Sequence, residues 1–175
     1  MAARGNRATA WRTSAVAVLP GRGGDKATAG LLYSSGGGGK VKLLVAVSHG
    51  VAGDFRRASP DKVHGCDLHE GEYGHAGSII SWSYTHDGKH KIAKQLIQTI
   101  NEEKKLIEFK TLEGDLMEEY KDFLVTLHVE TKNNIDLVTW TMEYETLNEK
   151  VDHPISLLAF LVDLTKDIET HHAGN

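Results

Sequence analysis

Residues 59–91, SPDKVHGCDLHEGEYGHAGSIISWSYTHDGKHK, hold the chain's densest group of side chains able to do chemistry. Gly71, Gly74 and Gly77 recur at every third position of GEYGHAG, and backbone amides freed by glycine can cradle a phosphate. A nucleotide loop also needs a following Lys-Ser/Thr, and a dinucleotide loop needs a helix opening directly after it. Neither follows Gly77, so the residues favour a rigid hairpin between two strands. His64, Cys66, His69 and His75 supply the imidazole and thiolate that zinc prefers. Their spacing matches no standard zinc module: His64 and Cys66 would share a strand face while His69 and His75 sit on the hairpin. No metal is expected. A nucleophilic Ser or Cys needs an oriented His beside it, and no GxSxG-like elbow or catalytic-cysteine context occurs. No catalytic residue and no cofactor is therefore assigned.

The elements that must position these residues are legible as alternations. In 137–145, Val138, Trp140, Met142 and Tyr144 alternate with Thr139, Thr141, Glu143 and Glu145, and a period of two places the first set on one face. Phe123, Val125, Leu127 and Val129 repeat the pattern, as do Ile80, Trp82 and Tyr84, and then Ile107 and Phe109. Charged residues on the opposite set predict an antiparallel sheet with one face in water. Pro154 suits a first helical turn, and ISLLAFLVDLTKDIETHH reads as an amphipathic helix with Leu158 and Val162 in its apolar arc. His171 and His172 are expected at its frayed end. Periodicity leaves open whether Trp82, Trp140, Met142 and Phe109 fill a packed core or line a space. If there is a space, its polar groups are Tyr84, Tyr144 and Gln95.

At 175 residues, 40% apolar and 25% charged, the chain suits one globular domain. The single Cys66 excludes an intrachain disulfide and fits a reducing, cytoplasmic setting. No run reaches the roughly 18 apolar residues of a membrane helix, and Ala15 to Leu19 is too short for a signal-peptide core. Residues 1–53 hold seven Lys or Arg against one acid, while 54–175 hold thirteen against twenty-three. The acidic body repels phosphate backbones, so neither nucleic acid nor membrane is an expected partner. Residues 1–39 end in the tetraglycine Gly36 to Gly39, show no periodicity and read as a disordered head whose removal leaves folding unchanged. Arg4, Arg7, Arg12 and Arg22, with no acid before Asp25, suit a transit peptide; an unrelated tail is the other reading. KVKLLVAVS, residues 40–48, reads as a first strand opening a second unit, 40–175.

SPDKV, the glycine loop, INEEKKLIEFKTLEGDLMEEYK, VTWTMEYETLNE and LLAFLVDLTKDIETH occur in an order and spacing that resembles the major latex proteins of plants, a branch of the birch-pollen-allergen superfamily. The resemblance covers about 59–172. It implies an α+β helix-grip fold, a curved antiparallel sheet wrapped around a long C-terminal helix. It also implies an apolar cavity that binds small hydrophobic metabolites or hormones without catalysis, in defence and stress responses. The cavity residues would be Ile80, Trp82, Tyr84, Gln95, Ile107, Phe109, Phe123 and Val125, followed by Val138, Trp140, Met142, Tyr144, Leu158 and Val162. Some superfamily members are reported ribonucleases with a lysine after the glycine loop, where this chain has Ile80; others are condensing enzymes, for which Lys166 is the helical candidate. The family places two short helices between its first strand and SPDKV, but only His49 to Ala58 intervene after residue 48. Those helices are therefore expected to be missing or shortened. The grip would be open at one end, with Leu157, Phe160 and Leu161 uncovered and disposed to self-association.

Overall fold

The alternating segments form one antiparallel sheet in the computed structural model, which describes residues 10–19, 52–132 and 135–173. Its strands are β1 (Ala10–Leu19), β2 (Val63–Glu70), β3 (Ile79–His86), β4 (Lys89–Asn101), β5 (Leu106–Gly114), β6 (Tyr120–Lys132) and β7 (Ile135–Thr146). They run in the order β1-β7-β6-β5-β4-β3-β2. Strands β2 to β7 are a meander of neighbours in sequence, the arrangement that short turns permit. Asp87 and Gly88 join β3 to β4 with φ of 52° and 72°, the left-handed pair whose twist matches two antiparallel strands. Helix α1 (Ala52–Ala58) precedes β2, and helix α2 (Ile155–Ala173) follows β7. The long helix packs on β1, β7 and α1, which is the helix-grip arrangement.

Alternation sets the two faces. Ile80, Ile97, Ile107, Phe123, Leu127, Val138 and Met142 are fully buried on the inner face, and Leu158, Leu164 and Ile168 of α2 are buried above it. The outer face carries cross-strand charges, including Lys94 with Glu113, Lys110 with Asp122 and Lys121 with Glu145. These exposed pairs keep that face in water and add little stability. Burial of the inner set supplies most of the driving force, about 1.5–3 kcal/mol for each large aliphatic or aromatic side chain.

The amino-terminal half corrects two expectations. Ala10–Leu19 is not featureless: it forms β1 and pairs along its length with β7, Arg12 facing Glu143 at 3.8 Å. The pairing of Arg12 with Glu143 is a complementarity invisible when the head is read alone. The remaining head residues and the first strand expected over 40–48 lie outside the described residues. With β1 at 10–19, the connection to Ser59 runs through residues 20–58 and not through ten residues. Helix α1 falls inside it, and Phe55 of α1 is 3% exposed. The expected uncovering of Leu157, Phe160 and Leu161 is also corrected, since Leu157 is buried and the other two are partly buried against the core. Helix α1 packs on β2 and α2 at that side. At the carboxyl end α2 runs to Ala173, with His171 and His172 in its last turn.

Candidate functional site

Between the inner face and α2 lies a cavity of about 100 Å³. Strands β3 to β7 contribute Trp82, Tyr84, Ala93, Gln95, Phe109, Val125 and Trp140; β2 adds Val63. Helix α1 contributes Phe55, the turn after β5 contributes Leu116, and α2 contributes Leu157, Phe160, Leu161 and Leu164. The walls are almost wholly apolar, as a pocket for a small hydrophobic molecule requires.

Specific local features hold this wall. Gly114 pairs with Ala93 at φ 113°, and a Cβ there would overlap the Ile92 carbonyl. Only glycine lets β5 turn so close to β4. The next residue, Asp115, accepts the Ile92 amide hydrogen at 2.7 Å, and Leu116 is thereby carried to the cavity. The Trp140 indole donates to Thr165 Oγ1 at 2.8 Å, and that hydroxyl donates to the Leu161 carbonyl at 2.8 Å. The bond ties the β7 side of the wall to α2. Ser59 Oγ and Lys62 Nζ both donate to Asp167 of α2, the lysine at 2.5 Å. Burial pulls the Lys62 ammonium pKa down, but the hydrogen bond and charge of Asp167, with Asp61 and Asp163, outweigh it and leave the pKa above its ordinary value. Phe55 and Trp82 meet edge to face, 5.3 Å between centroids, at the same end.

Two polar groups reach the lining. Gln95 Nε2 donates to Thr111 Oγ1 at 3.2 Å. Tyr84 has no hydrogen bond among the described residues. Burial, reinforced by the negative charge of Asp115, pushes its phenol well above the usual range, so the hydroxyl stays protonated.

Of the fourteen expected cavity residues, Trp82, Tyr84, Gln95, Phe109, Val125 and Trp140 lie on the wall. Ile80, Ile107, Phe123, Val138, Met142, Tyr144, Leu158 and Val162 do not; they pack in or against the core. Tyr144 is the clearest departure. Its ring stacks on Phe123 at 5.8 Å and meets Tyr120 at 5.4 Å, and its hydroxyl bonds His153 Nδ1 at 2.7 Å, so it anchors the approach to α2. The residues that alternation missed, Phe55, Val63, Ala93, Leu116, Leu157, Phe160, Leu161 and Leu164, come from the helices, a turn and strand ends. Val63 and the apolar arc of α2 carried a signal; Phe55 and Leu116 sit outside any long periodic run.

The chemical motifs resolve into structural parts. The glycine loop is cinched on Ser78, whose Oγ donates to the Glu72 carbonyl at 2.6 Å and accepts from the Glu72 amide at 3.0 Å. Gly77 N donates to Ile97 O at 2.8 Å, pinning the loop to β4. A β-bulge between Val63 and Gly65 turns Cys66 inward and leaves His64 outside, so the two do not share a face. Burial, with the charge of Asp67 adding, pushes the Cys66 thiol up to about 12. His64, His69 and His90 instead bond Thr85, Ser81 and Ser83 on the outer face, at 2.7, 2.8 and 2.7 Å. Among the described residues no three His, Cys, Asp or Glu are grouped to hold a metal. No described helix is long and apolar enough to cross a membrane.

Known proteins share this architecture. The family model described as "Pathogenesis-related protein Bet v 1 family" matches residues 45–174. MLP-like protein 43 of Arabidopsis thaliana is 50% identical over 117 residues, 66% of this chain and 74% of that protein. The crystal structure of ginseng major latex-like protein 151 from Panax ginseng superposes with a TM-score of 0.77 at 37% identity, covering 93% of this chain and 97% of that one. Norcoclaurine synthase from Thalictrum flavum shares the fold alone, with a TM-score of 0.66 at 15% identity over 95% of this chain and 88% of that one. The helix-grip sheet, the glycine loop and these matches place the chain in the pathogenesis-related Bet v 1 family, in its major-latex-like branch.

Proposed function

We propose that the chain is a non-enzymatic binder of small hydrophobic molecules, acting in the cytoplasm in defence or stress responses. The observation that carries this reading is the apolar cavity of about 100 Å³ between sheet and α2, with Trp82 and Trp140 on its wall. Ligand affinity would come from apolar area removed from water, about 25 cal/mol per Å², less the cost of ordering the ligand. The superfamily's enzymatic activities fit the residues less well. Ile80, fully buried, stands where the ribonuclease relatives have a lysine, and Lys166 lies 3.8 Å from Asp163 on the helix and does not line the cavity. Titration with N-phenylnaphthylamine, a neutral apolar fluorophore, should quench tryptophan emission saturably. A folded protein that shows no saturable quenching would contradict the reading.

A further inference from the structure

At the β3–β4 hairpin, Tyr84 on the cavity wall has polar neighbours that apolar binding does not use. Tyr84 is on the wall with its hydroxyl unpartnered among the described residues. Directly across the ladder stands Lys91, and alternation with buried Ala93 and Gln95 puts it on the same inner face. Lys91 is half-buried and has neither hydrogen bond nor ion pair among the described residues. Beyond Tyr84, His86 is 8% exposed and its Nε2 is buried without a hydrogen bond. Its ring meets Phe160 edge-on at 5.5 Å, and Phe160, also 5.7 Å from Tyr84, lines the cavity. The imidazole therefore lies just behind the wall.

The acids nearby already have partners. Asp115 accepts the Ile92 amide. Asp87 accepts from Ser156 Oγ at 3.2 Å and lies 3.4 Å from His86 Nε2. Lys89, opposite His86 in the register, is exposed. What remains is a phenolic donor on the cavity wall and, paired with it across the ladder, a half-buried lysine with no counter-ion among the described residues. Charged donors of this kind are satisfied best by an anionic oxygen.

We propose that this pair is a head-group subsite for a carboxylate, so that the bound molecule is amphipathic, with its apolar part in the cavity and its carboxylate on Tyr84 Oη and Lys91 Nζ. One ammonium suits a single negative charge better than a dianion. The proposal rests on the cavity-binding reading, and its test separates the two.

Benzoate and acetophenone have nearly the same shape and differ in charge; burial alone would rank the ketone first. Their affinities can be compared by NMR through the indole N–H signals of Trp82 and Trp140. Benzoate should bind about tenfold more tightly, the worth of one charge-assisted hydrogen bond. Lys91→Met should remove that advantage and leave acetophenone unchanged, Lys91→Arg should restore it, and Tyr84→Phe should weaken benzoate alone; melting curves of each variant check the fold. If acetophenone binds the unaltered protein at least as tightly as benzoate, or if Lys91→Met changes neither, the subsite is wrong while the cavity reading stands. If neither compound shifts the indole signals of the folded protein, both fall together.

Discussion

Single residues hold the wall of the cavity through groups that tolerate no substitute. Gly114→Ala would set a methyl group against the Ile92 carbonyl in a backbone conformation that alanine avoids, and should cost about 3 kcal/mol in chemical denaturation. Trp140→Phe removes the pyrrole half of a buried indole and leaves Thr165 Oγ1 without its donor, an expected loss of about 2–3 kcal/mol with the fold intact. Cys66 gives a pH signature. Its folded pKa of about 12 lies above the thiol's ordinary 9.0, so below pH 9 both states keep the proton and the stabilisation is complete. As pH rises from 9 towards 12 the unfolded chain ionises first and stability falls. Denaturation midpoints should drop over that window, and Cys66→Val should remove part of the drop; an equal drop in the variant would show that the thiol stays accessible. The sequence placed Trp82, Phe109, Val125 and Trp140 on the inner face correctly, because alternation reports facing. Alternation carries no information on depth beneath α2, so Met142 and Phe123, on the same face, turn out to be packed. The use of Tyr144 to hold His153 depends on a contact between β7 and the loop before α2 that no local pattern encodes.

Elements show where local sequence suffices and where pairing decides. Strands β3 and β5 to β7 and helix α2 were legible because each carries its own apolar period and stop signal, such as Asp87-Gly88 after β3 or Pro154 before α2. Strand β1 was not, because Ala10–Leu19 is stabilised by a partner more than a hundred residues away in the chain. Deleting residues 1–19 should therefore expose the edge of β7 and lower the melting midpoint by roughly 10 °C for a chain of this length. An unchanged midpoint would show that β1 contributes nothing to the sheet.

At the scale of the whole molecule, the described sheet and helices line an apolar space in an otherwise acidic body. That space is the central claim, and Ala93 offers the most direct test of it. Its side chain is buried on the wall, and Ala93→Phe would project a ring into the empty volume. The measurement is tryptophan quenching by N-phenylnaphthylamine in the unaltered chain and in Ala93→Phe, with melting curves run alongside. Saturable quenching in the first and its loss in a still-folded variant is the expected result; equal quenching in both would place the bound fluorophore outside the cavity and contradict the account.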